Sequence, residues 1–297
     1  MLTKTDAIVI KSMKFRDTSK IVTFYTRRYG KLKGVAKGAR QIKSKFGAAL
    51  EPMTNVSLVL YKKEHRDLQL ISQCDIIKAY KKINSEFDRM TVALSVLELI
   101  NQLAHDEEEN PPLYALLVET LDQLERASKN LMNLFYAFEL RLTGLFGFGP
   151  ALDACSHCGR QVEEFASEGS VTFQLSRGRI LCQHCGKAAK LHADANIFPN
   201  SPSSSKGEMV GRREANVRIS VRGLKVMQRL FTAKLDSVAS LEYSIATGNE
   251  IDGTLRLYLR QHFEDLKPLK SQELFRNSVI LNSSEGVDPR TKRVLRH

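Results

Sequence analysis

The stretch KIVTFYTRRYGKLKGVA, residues 20–36, contains two short apolar and β-branched segments joined by a turn that ends in glycine. Similar segments precede and follow it: DAIVIKSMKF (6–15), NVSLVLYKK (55–63) and LQLISQCDIIKAY (68–80). Short strands at this spacing, with polar or glycine-containing links between them, are typical of a small β-barrel. The first 82 residues therefore predict a five-stranded barrel of the OB type.

Positive charge is concentrated in this same part of the chain. The whole sequence carries 45 Lys and Arg against 33 Asp and Glu, a formal net charge of +12. Residues 1–82 hold 19 basic and 6 acidic side chains, a net +13, so the other 215 residues carry a net −1. Such asymmetry indicates a polyanion-binding module joined to an electrically ordinary remainder.

The densest basic run, residues 27–46, has no acidic residue and includes three glycines that allow a loop to follow a strand of nucleic acid closely. The predicted phosphate contacts are Arg27, Arg28, Lys31, Lys33, Lys37, Arg40, Lys43 and Lys45. Aromatic side chains available to stack on bases are Phe15, Phe24, Tyr25, Tyr29, Phe46 and Tyr61, although strand alternation places some of them in the barrel core. A basic face that is merely solvated is the alternative.

Beyond residue 84 the apolar residues recur every three or four positions, which predicts amphipathic helices. The first three stripes are Phe87, Met90, Leu94, Leu97 and Ile100; Leu113, Leu117, Leu121 and Leu124; and Leu131, Leu134, Phe138, Leu142 and Leu145. Further helices are predicted within 220–235 and 255–266. The stripes are interpreted as core, and a groove for a partner is the alternative.

Three polar segments interrupt this pattern. The run DEEE, residues 106–109, is interpreted as solvated surface. Residues 198–209, rich in Pro, Ser and Gly, predict a flexible loop. The basic tail, residues 287–297, is interpreted as a frayed end, with an auxiliary contact to a polyanion as the alternative.

Four of the five cysteines form two C-x2-C pairs, each followed by glycine, in CSHCG and CQHCG. A two-residue spacer lets the chain turn so that both sulfurs reach one ion, and four thiolates fill a tetrahedral shell. The sequence therefore predicts one structural zinc ion held by Cys155, Cys158, Cys182 and Cys185. An iron–sulfur cluster would use the same ligands. Strands predicted at 171–176 and 177–182 complete a zinc ribbon.

Other cysteine and histidine residues are given structural roles. His157 and His184 lie inside the knuckles and are interpreted as exposed neighbours of the metal, and Cys74 as a small buried residue in a strand. The predicted division of the chain is a barrel over 1–82, a helical domain over 83–150 and 191–297, and a zinc-ribbon insertion over 151–190. The fold class is α+β multidomain.

Several classes of protein are disfavoured. No apolar run is long enough to cross a bilayer and no signal peptide opens the chain, so a cytoplasmic protein without a membrane partner is expected. No phosphate-cradling, nucleophile-elbow or H-E-x-x-H motif occurs, which favours a protein that is not an enzyme. A nuclease or ligase that uses carboxylates and a divalent ion stays an alternative, as does an RNA-binding OB-fold and zinc-ribbon protein of the translation or transcription machinery.

Two separate stretches resemble one known family. IVTFYTRRYGKLKGVAKGARQIKSKFGAALEPMTNVSLVLY, residues 21–61, resembles the opening domain of the RecO family of bacterial DNA-repair proteins. LFGFGPALDACSHCG, residues 145–159, is similar to that family's junction between helices and zinc knuckle. The order of barrel, helices and four-cysteine insertion agrees as well. Residues 198–218 depart from the pattern.

The resemblance implies a recombination mediator of the bacterial cytoplasm and nucleoid. Such a protein binds single- and double-stranded DNA and anneals complementary strands. With a RecR partner it helps to load the RecA recombinase onto DNA coated by single-strand-binding protein, whose acidic C-terminal tail it contacts. The resemblance thus implies a role in DNA repair by homologous recombination.

Overall fold

The computed structural model describes residues 1–64, 66–188 and 216–272. The predicted flexible loop at 198–209 and the basic tail at 287–297 lie outside the described residues.

The N-terminal part is a closed five-stranded barrel. Its strands are β1 (Leu2–Phe15), β2 (Ser19–Thr26), β3 (Gly30–Ala36), β4 (Asn55–Tyr61) and β5 (Gln69–Lys78). Their order around the barrel is β1-β2-β3-β5-β4, and β4 pairs with β1 to close it. The β3–β5 pairing is parallel and the others are antiparallel. This arrangement confirms the predicted OB-type barrel.

Alternation along the strands fills the barrel. In β3 the inward residues Leu32 and Ala36 are buried, while Lys31 and Lys33, on either side of Leu32, point outward. The interior side chains include Val9, Val22, Phe24, Leu32, Leu50, Val56, Leu58, Leu60 and Ile71. A 3₁₀ turn at Gly47–Leu50 follows the basic loop and buries Ala49 and Leu50 against this core. The outer face of the hairpin is therefore left to polar and basic residues.

Four helices follow the barrel. They are α1 (Lys81–Ser85), α2 (Phe87–Leu103), α3 (Pro111–Arg126) and α4 (Leu131–Leu145). In α3 the Asn110 side chain caps the first turn by accepting from the Leu113 amide at 3.0 Å, and Pro111 begins the helix. The predicted stripe of Leu113, Leu117, Leu121 and Leu124 is buried, which confirms its interpretation as core.

The α2 stripe was predicted less well. Phe87 is 51% exposed, whereas Arg89 is buried. Arg89 donates to the carbonyls of Leu124 and Ala127 at the C-terminus of α3 and pairs with Glu86 at 2.9 Å. Because α2 contacts β1, α1 and α3, most of its circumference is buried and no single stripe marks its core face.

A second sheet surrounds the cysteines. Its strands are β6 (Ala151–Cys155), β7 (Ser170–Gln174), β8 (Arg179–Leu181) and β9 (Asn216–Ser220), in the order β6-β8-β7-β9. β7 and β8 confirm the two predicted strands. β9 pairs antiparallel with β7, with Val171 opposite Ile219, and was missed because NVRIS leads directly into a helical pattern. Further helices in the described ranges include α5 (Val221–Thr232), α6 (Leu235–Val238) and α7 (Ile245–His262).

The chain forms two compact units. One comprises Met1–Phe135 and the residues from Lys267 onward, and the other comprises Tyr136–Leu266. The first contains the barrel and the second contains the four-cysteine sheet. The division at residues 82, 150 and 190 stays a prediction.

Candidate nucleic-acid interface and metal centre

The eight predicted phosphate contacts lie at three places along the β2–β3 hairpin. Arg27 and Arg28 are in the turn between the strands, and Lys31 and Lys33 are on the outer face of β3. The other four follow β3 in the loop of residues 37–46. The seven residues of β3 separate the turn from the loop, and their six steps span about 20 Å at the rise of a strand. The eight side chains therefore do not form a single patch.

The turn arginines have partners nearby. The Arg27 guanidinium lies 5.2 Å from the centre of the Tyr114 ring and 3.7 Å from the Asp6 carboxylate. Arg28 is exposed and lies over the ring of Tyr29 at 5.6 Å. Each guanidinium group thus lies over an aromatic ring. An arginine in this arrangement is also suited to contact bases or phosphates.

The two lysines on the outer face of β3 share one carboxylate. Lys31 Nζ lies 3.1 Å from Asp106, with 12% of its side chain exposed, and it also donates to the Asn101 carbonyl at 3.1 Å. Lys33 Nζ lies 3.5 Å from the same aspartate. Partial burial opposes ionisation of Asp106, but the hydrogen bond and charge of Lys31, followed by those of Lys33, lower its pKa. These two lysines are not free cations in this structure.

The loop residues divide into two kinds. Arg40 donates to the carbonyls of Arg16 and Asp17 at 3.2 and 3.1 Å, and Lys45 donates to the Ser72 carbonyl at 2.6 Å. These bonds tie the loop to the β1–β2 turn and to β5. Lys37 and Lys43 are exposed, and the described part of the chain places no carboxylate within ion-pair distance of either. Neutral carbonyl partners leave the positive charge of Arg40 and Lys45 uncompensated.

Two basic residues that were not predicted as contacts lie at the end of β1 and in the turn after it. Lys14 and Arg16 are exposed, and within the residues described neither has an acidic partner. Because Arg40 is bonded to the backbone of Arg16, the loop and this turn are held side by side. We call Lys14, Arg16, Lys37 and Lys43 the free basic surface. The missed signal is that the β1–β2 link lies at the same end of the barrel as the loop after β3.

Only some of the candidate aromatic residues are available for stacking. Phe24, Tyr25 and Phe46 are buried, as alternation predicted for part of the set. Phe15 is half-buried at the end of β1, with the Arg16 guanidinium 5.1 Å from its ring. Tyr61 is exposed on β4. Phe15 thus places an aromatic ring beside the free basic surface, a combination suited to single-stranded nucleic acid.

The four knuckle cysteines converge. Their sulfur atoms all lie within 4.8 Å of one another, and the sulfurs of Cys158 and Cys182 are 3.9 Å apart. A tetrahedral site with zinc–sulfur bonds of about 2.3 Å requires sulfur atoms about 3.8 Å apart. The donor set and its spacing therefore fit a four-coordinate ion, with no position left for water or substrate.

The electrostatics of the thiols also favour a cation. Burial opposes ionisation of Cys155, but amide groups of Cys158, Cys182 and His157 face its sulfur and lower its pKa to about 7. Burial and the neighbouring sulfurs raise the pKa of Cys185. Since four thiolates repel one another in a buried cluster, a bound divalent ion would supply the charge that lets all of them ionise.

The two glycines after the knuckles act differently. Gly159 has φ of +74°, a left-handed conformation that glycine adopts without the steric cost of a Cβ. Gly186 lies in a short helical segment, where a Cβ would stand 2.6 Å from the Thr172 hydroxyl, so its small size serves close packing. His157 and His184 are exposed and lie outside the cysteine cluster, as predicted.

No helix in the described ranges is both long and apolar enough to cross a membrane.

Comparison with known proteins identifies the family. The model of the recombination protein O N-terminal domain matches residues 1–80, and that of the C-terminal domain matches residues 84–273. The chain belongs to the RecO family. A DNA repair protein RecO from Chloroherpeton thalassium is 31% identical over 280 residues, covering 94% of this chain and all of the relative. The RecO of Salinibacter ruber is 29% identical over 288 residues, covering 97% and 96% of the two chains.

The RecO match confirms the resemblance stated from the sequence. RecO proteins support DNA repair by recombination, so the broad functional assignment is confirmed. The OB-like barrel corresponds to the first family domain. The helices and the four cysteines lie within the second.

Proposed function

We propose that this chain is a recombination mediator that binds DNA through the free basic surface of its barrel. The observation that carries the proposal is the joining of the loop after β3 to the β1–β2 turn through Arg40, which gathers uncompensated cations beside Phe15. Cations that track phosphates, with an aromatic ring for bases, bind single strands without sequence preference. Membership of the RecO family supports the same ligand.

The proposed activity needs no covalent step. Lys and Arg side chains neutralise phosphates and release condensed counterions, so two strands held on one protein repel each other less. Annealing of complementary strands follows from this neutralisation alone. Double-stranded DNA offers the same phosphates to the same surface. We therefore propose a binding protein rather than an enzyme.

The proposed partners follow from the family. They are a RecR-type protein, the RecA recombinase loaded onto DNA, and the acidic C-terminal tail of single-strand-binding protein. Their setting is the cytoplasm and nucleoid of a bacterium. A reconstituted assay would test this role directly: the chain together with a RecR protein should speed RecA loading onto coated single strands, and neither alone should do so to the same extent.

DNA binding is tested by fluorescence anisotropy of a labelled single strand across a salt series. Lys37→Gln/Lys43→Gln should reduce the magnitude of the log–log salt slope by about 1.4, since each lost phosphate contact is worth about 0.7. Lys81→Gln/Lys82→Gln removes the same charge from exposed positions in α1 and should leave the slope unchanged. Equal loss in both variants would contradict a localised interface.

The same titration separates DNA from RNA. A DNA strand and an RNA strand of equal sequence present the same number of phosphates to the protein. Tighter binding of the DNA strand is expected of a DNA-repair protein, whereas tighter binding of RNA would favour the RNA-binding alternative. Incubation of labelled DNA with Mg²⁺ should leave its length unchanged, and cleavage or joining would indicate an enzyme.

The four cysteines are proposed to hold one structural zinc ion. When bound, the ion supplies positive charge that stabilises four thiolates and fixes the two knuckles relative to one another. Cys158→Ser should release the metal and lower the thermal stability of the chain, and His157→Ala should retain one zinc per chain. Elemental analysis of both purified variants measures this. Full zinc retention in Cys158→Ser would contradict the assignment, and iron in the wild-type protein would indicate a cluster.

A further inference from the structure

The acidic segment, residues 106–109, lies along the N-terminal half of β3. The Glu107 amide donates to the Lys31 carbonyl at 2.8 Å, and Lys31 and Asp106 form a parallel β-bridge. All four residues are exposed, in agreement with their interpretation as solvated surface, and these backbone contacts and the ion pairs of Asp106 also hold the segment against β3. An acidic segment thus contacts the basic strand β3 through its backbone and through the Asp106 carboxylate.

The barrel leaves room for the segment at this edge. β3 pairs with β5 at Gly34 and Val35, in the C-terminal half of the strand. The acidic segment takes up the N-terminal half. At Gly30, where φ is +56°, an added Cβ would lie 1.8 Å from the Glu108 carbonyl oxygen. The segment therefore contacts the backbone of β3 directly.

The side chains of the segment pair with basic residues of the barrel. Asp106 is shared by Lys31 and Lys33, and Glu107 pairs with Lys62 at 2.9 Å. A cavity of about 470 Å³ adjoins these pairs. Its lining is Lys31, Leu32, Lys33, Arg66, Asp67, Asp106 and Glu107. The β3 face is therefore open enough to admit a ligand, but two of its cations, Lys31 and Lys33, already pair with Asp106.

We propose that the acidic segment is an intramolecular competitor of nucleic acid on the outer face of β3. It occupies Lys31, Lys33 and Lys62 while the free basic surface at the other end of the hairpin stays accessible. Asp106 is 59% exposed, and ion pairs with such exposure are weak because water screens them. Phosphates can therefore exchange with the carboxylates at small cost. The inference rests on the proposed function and names the regulation of that binding surface.

The acidic segment determines how many basic residues of the barrel a bound nucleic-acid strand contacts. With the segment in place, binding uses the free basic surface. When the carboxylates are removed or displaced, Lys31 and Lys33 add two phosphate contacts. Each contact steepens the salt dependence by about 0.7 and strengthens binding about fivefold at 0.1 M salt.

The test compares two full-length variants that change the net charge equally. Asp106→Asn/Glu107→Gln removes the ion pairs, whereas Asp88→Asn/Glu119→Gln alters two exposed acids outside the segment, to which the described residues give no ion pair. Titration of a labelled single strand should show at least fivefold tighter binding and a steeper salt slope for the first variant relative to the second. Equal affinities and slopes for the two variants would overturn the proposal.

A second comparison guards against a loss of structure in the first variant. Lys33→Gln should weaken binding about fivefold in the Asp106→Asn background. It should weaken binding less than twofold when Asp106 is intact, because Lys33 is then already paired with that carboxylate. Equal effects in the two backgrounds would overturn the proposal. If the wild-type chain itself fails to bind the strand, the proposed function fails; if it binds while both comparisons show no difference, only the competitor is refuted.

Discussion

The two ends of the β2–β3 hairpin carry the same kind of residue in different electrostatic states. On β3, Lys31 and Lys33 share the Asp106 carboxylate and face a cavity. In the following loop, Lys37 and Lys43 are exposed, and in the part of the chain described here neither is near a carboxylate. The local sequence around all four is equally basic. The difference arises from a segment that follows α2, more than 60 residues further along the chain.

The comparison shows how a charge count relates to a binding surface. The run of residues 27–46 contains no acid, yet three of its eight candidate contacts pair with acidic residues outside it. Net charge predicts which module meets a polyanion, because long-range steering depends on the summed field. It does not predict which cations are free, since that depends on tertiary contacts.

The largest expected effect comes from reversing charge on the free basic surface. Lys37→Glu/Lys43→Glu removes two phosphate contacts and adds repulsion, so single-strand affinity should fall on the order of 30-fold at 0.1 M salt. Lys33→Gln alone should change affinity less than twofold. Anisotropy titration measures both. A larger loss from Lys33→Gln would reverse the assignment of free and compensated ends.

Gly30→Ala perturbs the contact between the acidic segment and β3 without altering charge. The new Cβ would meet the Glu108 carbonyl, and φ of +56° disfavours alanine, so the variant should lose about 1–3 kcal/mol of unfolding free energy. If the acidic segment is pushed away, strand binding should tighten severalfold in the folded variant. Urea unfolding and anisotropy test the two effects, with Gly47→Ala, where a Cβ meets nothing, as the control for positive φ.

Arg40 is expected to hold the residues of the free basic surface in position. Arg40→Lys keeps the charge but loses the planar group that bonds the carbonyls of both Arg16 and Asp17. Affinity should fall about two- to fivefold through loss of preorganisation, with the salt slope nearly unchanged. A slope reduced by a full contact would instead identify Arg40 as a direct phosphate ligand.

The smallest expected effect is on stability against pH. The pKa of Asp106 in the folded chain is below its unfolded value of about 3.9. Its ion pairs therefore stabilise the fold fully above that value, and the contribution is lost as pH falls through the folded pKa. Asp106→Asn should lower the melting temperature slightly at pH 6, and the difference from the wild-type protein should shrink as the pH falls below about 3.9. A difference that does not shrink with falling pH would show that the aspartate acts through something other than charge.

The sequence was sufficient for the parts of the fold that are set by local pattern. Alternation identified the five barrel strands, and spacing of three and four identified α3 with its buried leucines. The C-x2-C pairs identified the cysteine cluster, because each pair needs only a local turn. Membership of the RecO family was recognisable from two stretches.

What could not be predicted depends on contacts between distant segments. The burial of Arg89 follows from carbonyls at the end of α3, and the role of the acidic segment follows from the free edge of β3. Arg16 joined the candidate interface only because Arg40 is bonded to its carbonyl. In each case a polar group pairs with a residue that is distant in the sequence. The periodicity of the chain does not predict such a pair.

The central claim, that the barrel has one free and one compensated basic region, is tested most directly by a lysine footprint. Reductive methylation of the full-length protein, with and without a single strand, would be quantified at each lysine by mass spectrometry. Lys14, Lys37 and Lys43 should react readily alone and be protected by the strand, Lys31 should react slowly in both, and Lys81 and Lys82 should be indifferent to the strand. Protection at Lys81 and Lys82, with none at Lys37 and Lys43, would contradict the account.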